Sequence, residues 1–516
     1  MKLPACIILI VLSFTGLTAQ PTFVHYIYES VAADVVAADQ NNGINCFAGT
    51  QGNWGVASGN LYACDSAGNV VFKVRHSLLP LYYVFYYAIG AGQNGEFNIA
   101  GYMAIASGGP TSPIVTTIDA SGNIVAATNY DNGFGQDNTP RIVSSSDSTY
   151  YLAFNGNTSA NNPGVVVMHA WHTSIMKQVS IHTLSGSDTM HTALREMKRS
   201  KDGNVYVLGY ATKPTVNSYY FLTKLDSTLN HQWTLMLPDT ASLMPDFDFS
   251  QDGDLLLSGG IYNGGALNQF FLSRIDPSGN IRWTKSYGSN LVNHIPVAVT
   301  AANGNGATMV GMESWSSTGD MTLTRLRVDS LGQVLFGSKL YGGMLQIEPW
   351  DADFTADGSM VVCGRNTIGQ ALALKIDPDH PAACFDTAVT FSSMNISMPG
   401  SMITSVLDSA NFVPTSLALN PSSALSSQVL CLATGIETPK SETIRYNNPV
   451  SDQLLLENIA GFSSAIVYDM TGRILDRADT GNKINYRLDT RAWTNGLHMI
   501  RLQGKNGCMN LKVLKM

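Results

Sequence analysis

Carboxylates and aromatic rings are the residues of this chain best equipped for chemistry. Glu348, Asp351 and Asp353, with Asp246 and Asp248, stand where alternating apolar stretches begin. Two carboxylates facing one another across a cavity are what acid–base cleavage of a glycosidic bond requires. Tyr262, Trp315 and Trp350 fall near longer polar connections, where a flat ring suits sugar stacking as well as core packing. Carboxylates at strand ends more often satisfy backbone donors. The expectation is therefore binding through Tyr262, Trp315, Trp350 and Asp351, with no catalytic residue assigned.

Metal chemistry has little support. Asp246 to Asp254 spaces its oxygens like a calcium loop, but with Asp248 as the first position and Gly253 as the sixth the twelfth is Gly259, where such a loop needs a bidentate Glu. His169 and His172 lie three apart, a spacing that sends them to opposite faces of a strand. No His-Glu-x-x-His, Gly-x-Ser-x-Gly or phosphate-cradling glycine loop occurs, so neither a metal nor a cofactor is expected.

The elements that must position these residues recur. Asp65, Asp119, Asp226, Asp276, Asp329 and Asp377 each close an alternating apolar run and open a turn, in steps of 54, 107, 50, 53 and 48 residues. The double step holds a degenerate copy around Trp171 and His172, which makes seven copies. In one copy Asp246–Ser250 alternates, Gln251-Asp-Gly253 turns, Asp254–Gly259 runs back, and Phe270–Asp276 and Ile281–Tyr287 flank Pro277-Ser-Gly-Asn280. Two hairpins in series at a period near fifty describe one blade of a β-propeller. Even spacing and apolar second strands such as Tyr206-Val-Leu favour a closed ring over a string of sandwich domains.

The seventh copy lacks a convincing fourth strand, because Pro378-Asp-His-Pro381 interrupts it and proline cannot serve a central ladder. The spare segment Thr22–Tyr28 is the first candidate to fill the place, and Ala388–Ser392 the second. The tight turns leave one rim. The longer connections, including Tyr262–Asn268 and Glu313–Asp320, leave the other, where binding residues are expected.

Only 13% of residues are charged and the net charge is -8, which disfavours a nucleic-acid or anionic-membrane partner. Lys2, the apolar stretch Cys6–Leu17 and the small residues before Gln20 read as a signal peptide over residues 1–19. Cys6 lies inside that apolar core, so a lipoprotein anchor is not expected. No later segment has eighteen uninterrupted apolar residues, so no transmembrane segment is expected. Six cysteines follow the signal, with fifteen formal pairings. Cys46 with Cys64 and Cys384 with Cys431 are favoured, leaving Cys363 and Cys508 free.

The repeats resemble a family of surface propellers from Bacteroidota, through Tyr341-Gly-Gly343, Asp351, Thr355-Ala-Asp-Gly358, Lys375-Ile-Asp377 and Gly279-Asn280 with Trp283. Quinoprotein and sialidase repeats space Asp, Gly and Trp differently, so neither activity is carried over. The last eighty residues hold Asn447-Asn-Pro449, Tyr468-Asp469, Gly472-Arg473, Asp489, Trp493-x-x-Gly496, Ile500-Arg-Leu502 and Leu511–Lys515. In order and spacing these resemble the type A C-terminal sorting domain of the type IX secretion system. The departures are Asn447, where the family usually has Pro, and His498, where it usually has Tyr or Phe. The resemblance implies a partnership with that secretion machinery, passage through the outer membrane, and then attachment to surface lipopolysaccharide or release.

The expected architecture is all-β: a seven-bladed β-propeller over 20–385, a small β-rich unit over 386–435, a linker over 436–442, and a C-terminal antiparallel β-sandwich over 443–516. Function is expected to be that of an extracellular or outer-membrane-surface binding or adhesion scaffold for a saccharide or surface protein. A secreted glycosidase or lyase and a structural envelope component are the alternatives.

Overall fold

The computed structural model describes residues 22–433 and 445–515 apart from short connections, among them 28–34, 52–57, 132–138, 315–320, 341–346, 377–385 and 469–473. The chain forms a repeat body over residues 19–435 and a C-terminal unit over 436–516.

Seven four-stranded antiparallel blades make up the repeat body, blades 3 and 4 being joined by a short hairpin ladder. Their first strands are Val35–Asp39, Tyr82–Ala91, Arg141–Ser144, Asp188–Arg199, Ala241–Phe249, Asn293–Ala302 and Ile347–Phe354. The recurring Asp is consumed by its turn. Asp65 Oδ1 accepts the N–H groups of Ala67 at 2.9 Å and Asn69 at 2.8 Å, and the Asn69 amide reaches Oδ2 at 2.9 Å. The same bonds recur at Asp119, Asp226 and Asp276. This is local turn chemistry, which explains why the motif tracks the repeat and not a function.

Blade 7 closes as the alternating N-terminal segment anticipates. Thr22–Ile27 pairs antiparallel with Ala371–Ile376, with Val24 opposite Leu374, and supplies the missing fourth strand. The rival segment goes elsewhere, since Asp386–Ala388 pairs with blade 6 through Ser338–Leu340.

The segment after the ring lies against the propeller, but not as the small β-unit expected there. Its seven strands, Asp386–Ala388, Ser392–Asn395, Ser401–Ile403, Ser405–Ser409, Val413–Ser416, Asn420–Ser422 and Ser427–Ala433, add one outer strand each to blades 6, 5, 4, 3, 2, 1 and 7. The chain thus retraces the whole ring backwards as a belt. Sheet twist makes this possible. Each step across a sheet rotates the strand by roughly 20–25°, so the fifth strand lies roughly at right angles to the first. It therefore runs along the circumference, and one continuous segment can pair with every blade without doubling back. Pairing also explains the composition: a belt that covers the open edge of each blade needs hydrogen-bonding backbone more than charge. Pro414 and Pro421 sit on its strands, where a missing N–H blunts the new outer edge.

The expected Cys46–Cys64 disulfide is not formed; Cys46 and Cys64 are buried free thiols. The register gives the reason. Cys46 stands opposite Ala63, and Cys64 opposite Asn45. The two are one residue out of step and point to opposite faces of blade 1. Cys46 joins the core with Leu61 and Val84, while Cys64 joins Phe47, Tyr62 and Cys363. Cys384 lies outside the described residues, so its pairing with Cys431 has no structural counterpart here.

The C-terminal unit packs a three-stranded sheet of Arg445–Tyr446, Gln453–Glu457 and Asn485–Asp489 with a four-stranded sheet of Ile474–Asp479, Phe462–Tyr468, Gly496–Gly504 and Gly507–Lys515. Leu454, Leu456, Val467, Trp493, Ile500 and Val513 share its core, as alternation along each strand demands.

Two outcomes test these assignments. A chain beginning at residue 29 loses a strand paired on both sides, at about 1 kcal/mol per ladder bond. Its propeller is expected to melt about 10 °C or more below the intact one, and a peptide spanning residues 20–30 to restore the loss; equal melting temperatures would show that this strand does not close the ring. Alkylation after denaturation without reductant is expected to label both Cys46 and Cys64, and a linked peptide in the mass spectrum would contradict the register.

Candidate ligand-binding channel

All seven first strands line one cavity of about 560 Å³ on the ring axis, each blade contributing, for example through Val36, Tyr87, Arg141, Lys198, Asp246, Val297 and Asp351. Its volume lies within the usual range for small-ligand sites.

The lining is shaped by a bulge repeated around the ring. Pairing of first and second strands slips at Tyr87 in blade 2, Arg195 in blade 4, Val297 in blade 6 and Trp350 in blade 7, and twice between Ala241 and Asp246 in blade 5. An extra residue kinks the strand and re-aims its side chain. All four single bulged residues line the cavity. The glycine ending each apolar run is the other half of the device. Gly364 faces Pro349 beside the bulge, and a Cβ there would collide with the Glu348 carbonyl; Gly101 is blocked likewise by the Phe85 carbonyl. Sequence reasoning missed Tyr87, Arg195, Glu196 and Lys198. A proline inside a paired strand marks a bulge, and Pro296 and Pro349 carry that signal for blades 6 and 7, but the first strands of blades 2 and 4 hold no such proline.

The charged groups are linked from blade to blade. Arg141 Nε meets Glu196 Oε2 at 3.0 Å, and Lys198 Nζ meets Asp246 Oδ1 at 3.1 Å. Asp246 Oδ2 accepts the Val299 N–H at 2.8 Å, and Asp248 Oδ2 that of Ala301 at 2.6 Å, both in the next blade. Across the ring seam, Asp351 Oδ2 accepts the Val36 N–H at 3.2 Å, while its Oδ1 accepts that of Ala352 at 2.8 Å.

Crowding perturbs these groups. Burial, then the charges of Glu196 and Asp246, push Asp351 up to about 7, although the Val36 N–H and Lys198 oppose the shift. Burial also raises Asp246, with Lys198 pulling against it and Glu196 adding to it. Burial alone would lower Lys198, but Asp246, Asp248, Glu196 and Asp351 hold its ammonium well above the ordinary lysine range.

Of the residues singled out from sequence, the structure brings Trp350 and Asp351 together in the channel. Tyr262 ends the second strand of blade 5, Leu255–Tyr262, and Trp315 lies outside the described residues. Glu348 sits beside the channel, bound to Arg365 at 2.5 Å. In the C-terminal unit, Asp489 bonds Arg491 at 3.0 Å, Gly496 opens a strand at φ 133°, Tyr468 ends one, and Pro449 follows a cis bond. Asp469, Gly472 and Arg473 lie outside the described residues. Both departures from the usual motif are absorbed. Asn447 Oδ1 accepts the Leu455 N–H at 2.7 Å, and buried His498 packs 5.2 Å from Trp493 with Nε2 at 2.7 Å from the Thr494 carbonyl.

Residues 445–516 match the family described as a secretion system C-terminal sorting domain. The C-terminal unit is thus a type IX sorting domain of the Bacteroidota kind, and it directs the chain to the cell surface or extracellular space. No curated protein matches the chain. Among solved structures, a neuraminidase-like protein from A/bat/Guatemala/164/2009 is 9% identical with a TM-score of 0.39, covering 60% of this chain and 92% of its own. A protein of unknown function from Dyadobacter fermentans is 13% identical with a TM-score of 0.39, covering 59% and 99%. An endo-arabinase from Bacteroides thetaiotaomicron is 12% identical with a TM-score of 0.25, covering 45% and 89%.

The carboxylate cluster sets a pH dependence. A carboxyl raised in the folded state contributes stability that is full below its unfolded value of about 4 and is lost as pH rises through the folded one, here about 7 for Asp351. Buried His76 and His294, held down at about 4, act in the opposite sense below pH 6.5. Glu196→Gln removes a charge that raises both aspartates, so it is expected to flatten the fall in melting temperature between pH 5 and 8. An unchanged slope would show that these carboxyls do not set it.

Proposed function

We propose that this chain is an exported, non-catalytic binding propeller that takes its ligand in the central channel, with the rim of long connections as its outer approach surface. One observation carries the preference for binding over catalysis. Every carboxylate lining the cavity is already engaged by the scaffold: Glu196 by Arg141 and the Met197 N–H, Asp246 by Lys198 and Val299, Asp351 by Val36 and Ala352, and Asp353 by the Phe354 N–H. A carboxylate already held by the scaffold's cations and backbone N–H groups is a structural tie before it is a proton carrier. What the cavity offers to a ligand is the set of side chains turned inward by the bulges. Delivery by the sorting domain puts that set where extracellular ligands are met.

A second reading rests on Asp351 and Asp246, two carboxyls with raised proton affinity in one cavity, which is the electrostatic pattern of a general acid and its partner. That reading makes the protein a secreted carbohydrate-active enzyme.

The two are separated by incubating the mature protein with arrayed glycans, surface proteins and soluble polysaccharides, reading retention and new reducing or unsaturated ends. Retention without new ends is the expected result. Product formation that disappears in Asp351→Asn would replace the binding reading with the catalytic one.

A further inference from the structure

Trp350 is the bulged residue of the last blade, 40% exposed on the channel. The Arg365 guanidinium carbon lies 5.0 Å from its ring centroid, and Glu348 holds that guanidinium in turn at 2.5 Å. Arg365 and Glu348 do not contribute to the cavity wall, whereas Trp350 does. The indole is therefore backed by a fixed cation on the outer side and presents its other face inward. Tyr87, bulged in blade 2, is held in a comparable way by stacking on Tyr102, with centroids 5.6 Å apart and planes 12° from parallel. Two aromatic surfaces, each fixed by a partner outside the cavity wall, thus border one cavity whose lining mixes apolar and charged groups.

The rest of the lining defines what such surfaces receive. Glu196, Asp246, Asp351 and Asp353 oppose Arg141, Arg195 and Lys198, so the lining has no positive excess to hold a phosphate, a sulfate or a uronic acid. Cationic donors on blades 3 and 4 and carboxylates on blades 4, 5 and 7 share this wall with the two aromatic rings. A ligand matching this set has a flat face of C–H groups, hydroxyls around its edge, and no net charge. A pyranose ring has that chemistry, and a preorganised aromatic platform binds it without first paying to order the side chain.

Resting on the binding reading above, we propose that the channel is a site for a neutral saccharide whose ring stacks on the inward face of Trp350. Gly364 belongs to this site as a positioning residue, because the bulge that turns Trp350 inward needs a residue without Cβ opposite it.

The test is binding of the full mature chain to an array of neutral, acidic and amino glycans and to a peptide array, with titration calorimetry on the hits. The expected result is retention of neutral glycans, weakened about tenfold or more in Trp350→Ala and within about threefold of normal in Trp350→Phe. Because Trp350 is partly exposed, both variants are expected to melt within about 2 °C of the parent. Neutral glycans binding equally well to Trp350→Ala would overturn the site. Retention of only acidic glycans, amino glycans or peptides would overturn the ligand class while leaving the binding reading intact. Cleavage of the glycans would remove the binding reading itself, and retention of nothing would end both.

Discussion

A ring of sheets holds only if its last sheet is joined to its first, and in this chain that junction is made by strands from distant parts of the sequence. Thr22–Ile27 lies between the third strand of blade 7 and the final belt strand, Ser427–Ala433. Its backbone is paired on both sides, so blade 7 has neither a complete fourth position nor a seat for the belt without it. The seam is closed again at the axis by Asp351 and the Val36 N–H, and nearby by the Lys375 ammonium, 2.9 Å from the Ser66 carbonyl. Blades buried on both faces cannot stand alone, so their cores depend on this seam.

Twist turns the closed ring into two different surfaces. At the axis, first strands stand close together, and their side chains meet those of the neighbouring blades. At the circumference, rotation accumulated over successive strands lays the outer edge along the ring, where the belt runs over it. One geometric property of β-sheets therefore accounts both for a channel with charged groups inside and for a low-charge, serine-rich strand outside. The belt has a further consequence for aggregation. Seven exposed sheet edges become one shared edge made of short strands, interrupted by Pro414 and Pro421.

The channel carboxylates serve the ring before they serve a ligand. Asp246 and Asp351 each stand three residues before the end of their first strand, at Phe249 and Phe354, and each reaches a backbone N–H of the following blade. Burial first, and then crowding with Glu196, raises their proton affinity, the cost of placing three acidic groups around one lysine in a narrow space. The bulges make room for function beside this framework. By adding a residue opposite a glycine, a blade keeps its ladder and still turns one extra side chain towards the axis.

Much of the architecture was written locally. Asp turns, glycine-ended apolar runs and period-two alternation each depend on residues a few positions apart, so they disclosed the strands, the seven copies and the sorting domain. The alternation of Thr22–Tyr28 and the prolines after Asp377 even indicated how the ring closes. What sequence could not disclose was contact between remote residues. The cysteine pair looked adjacent because its strands are adjacent, yet a one-residue offset in register put the two thiols on opposite faces. The belt read as a small unit resting against the propeller because nothing in a low-charge strand names the edge it will cover. Trp350 and Asp351 were visible as candidates, but their companions Tyr87, Glu196 and Lys198 come from other blades, and only closure of the ring brings them to one axis. Sequence by itself determined the repeating unit and the destination, because turn chemistry, strand alternation and a sorting motif are local properties. Tertiary structure alone decided the channel, the belt and the fate of the thiols, because each depends on which distant strand becomes a neighbour and in which register.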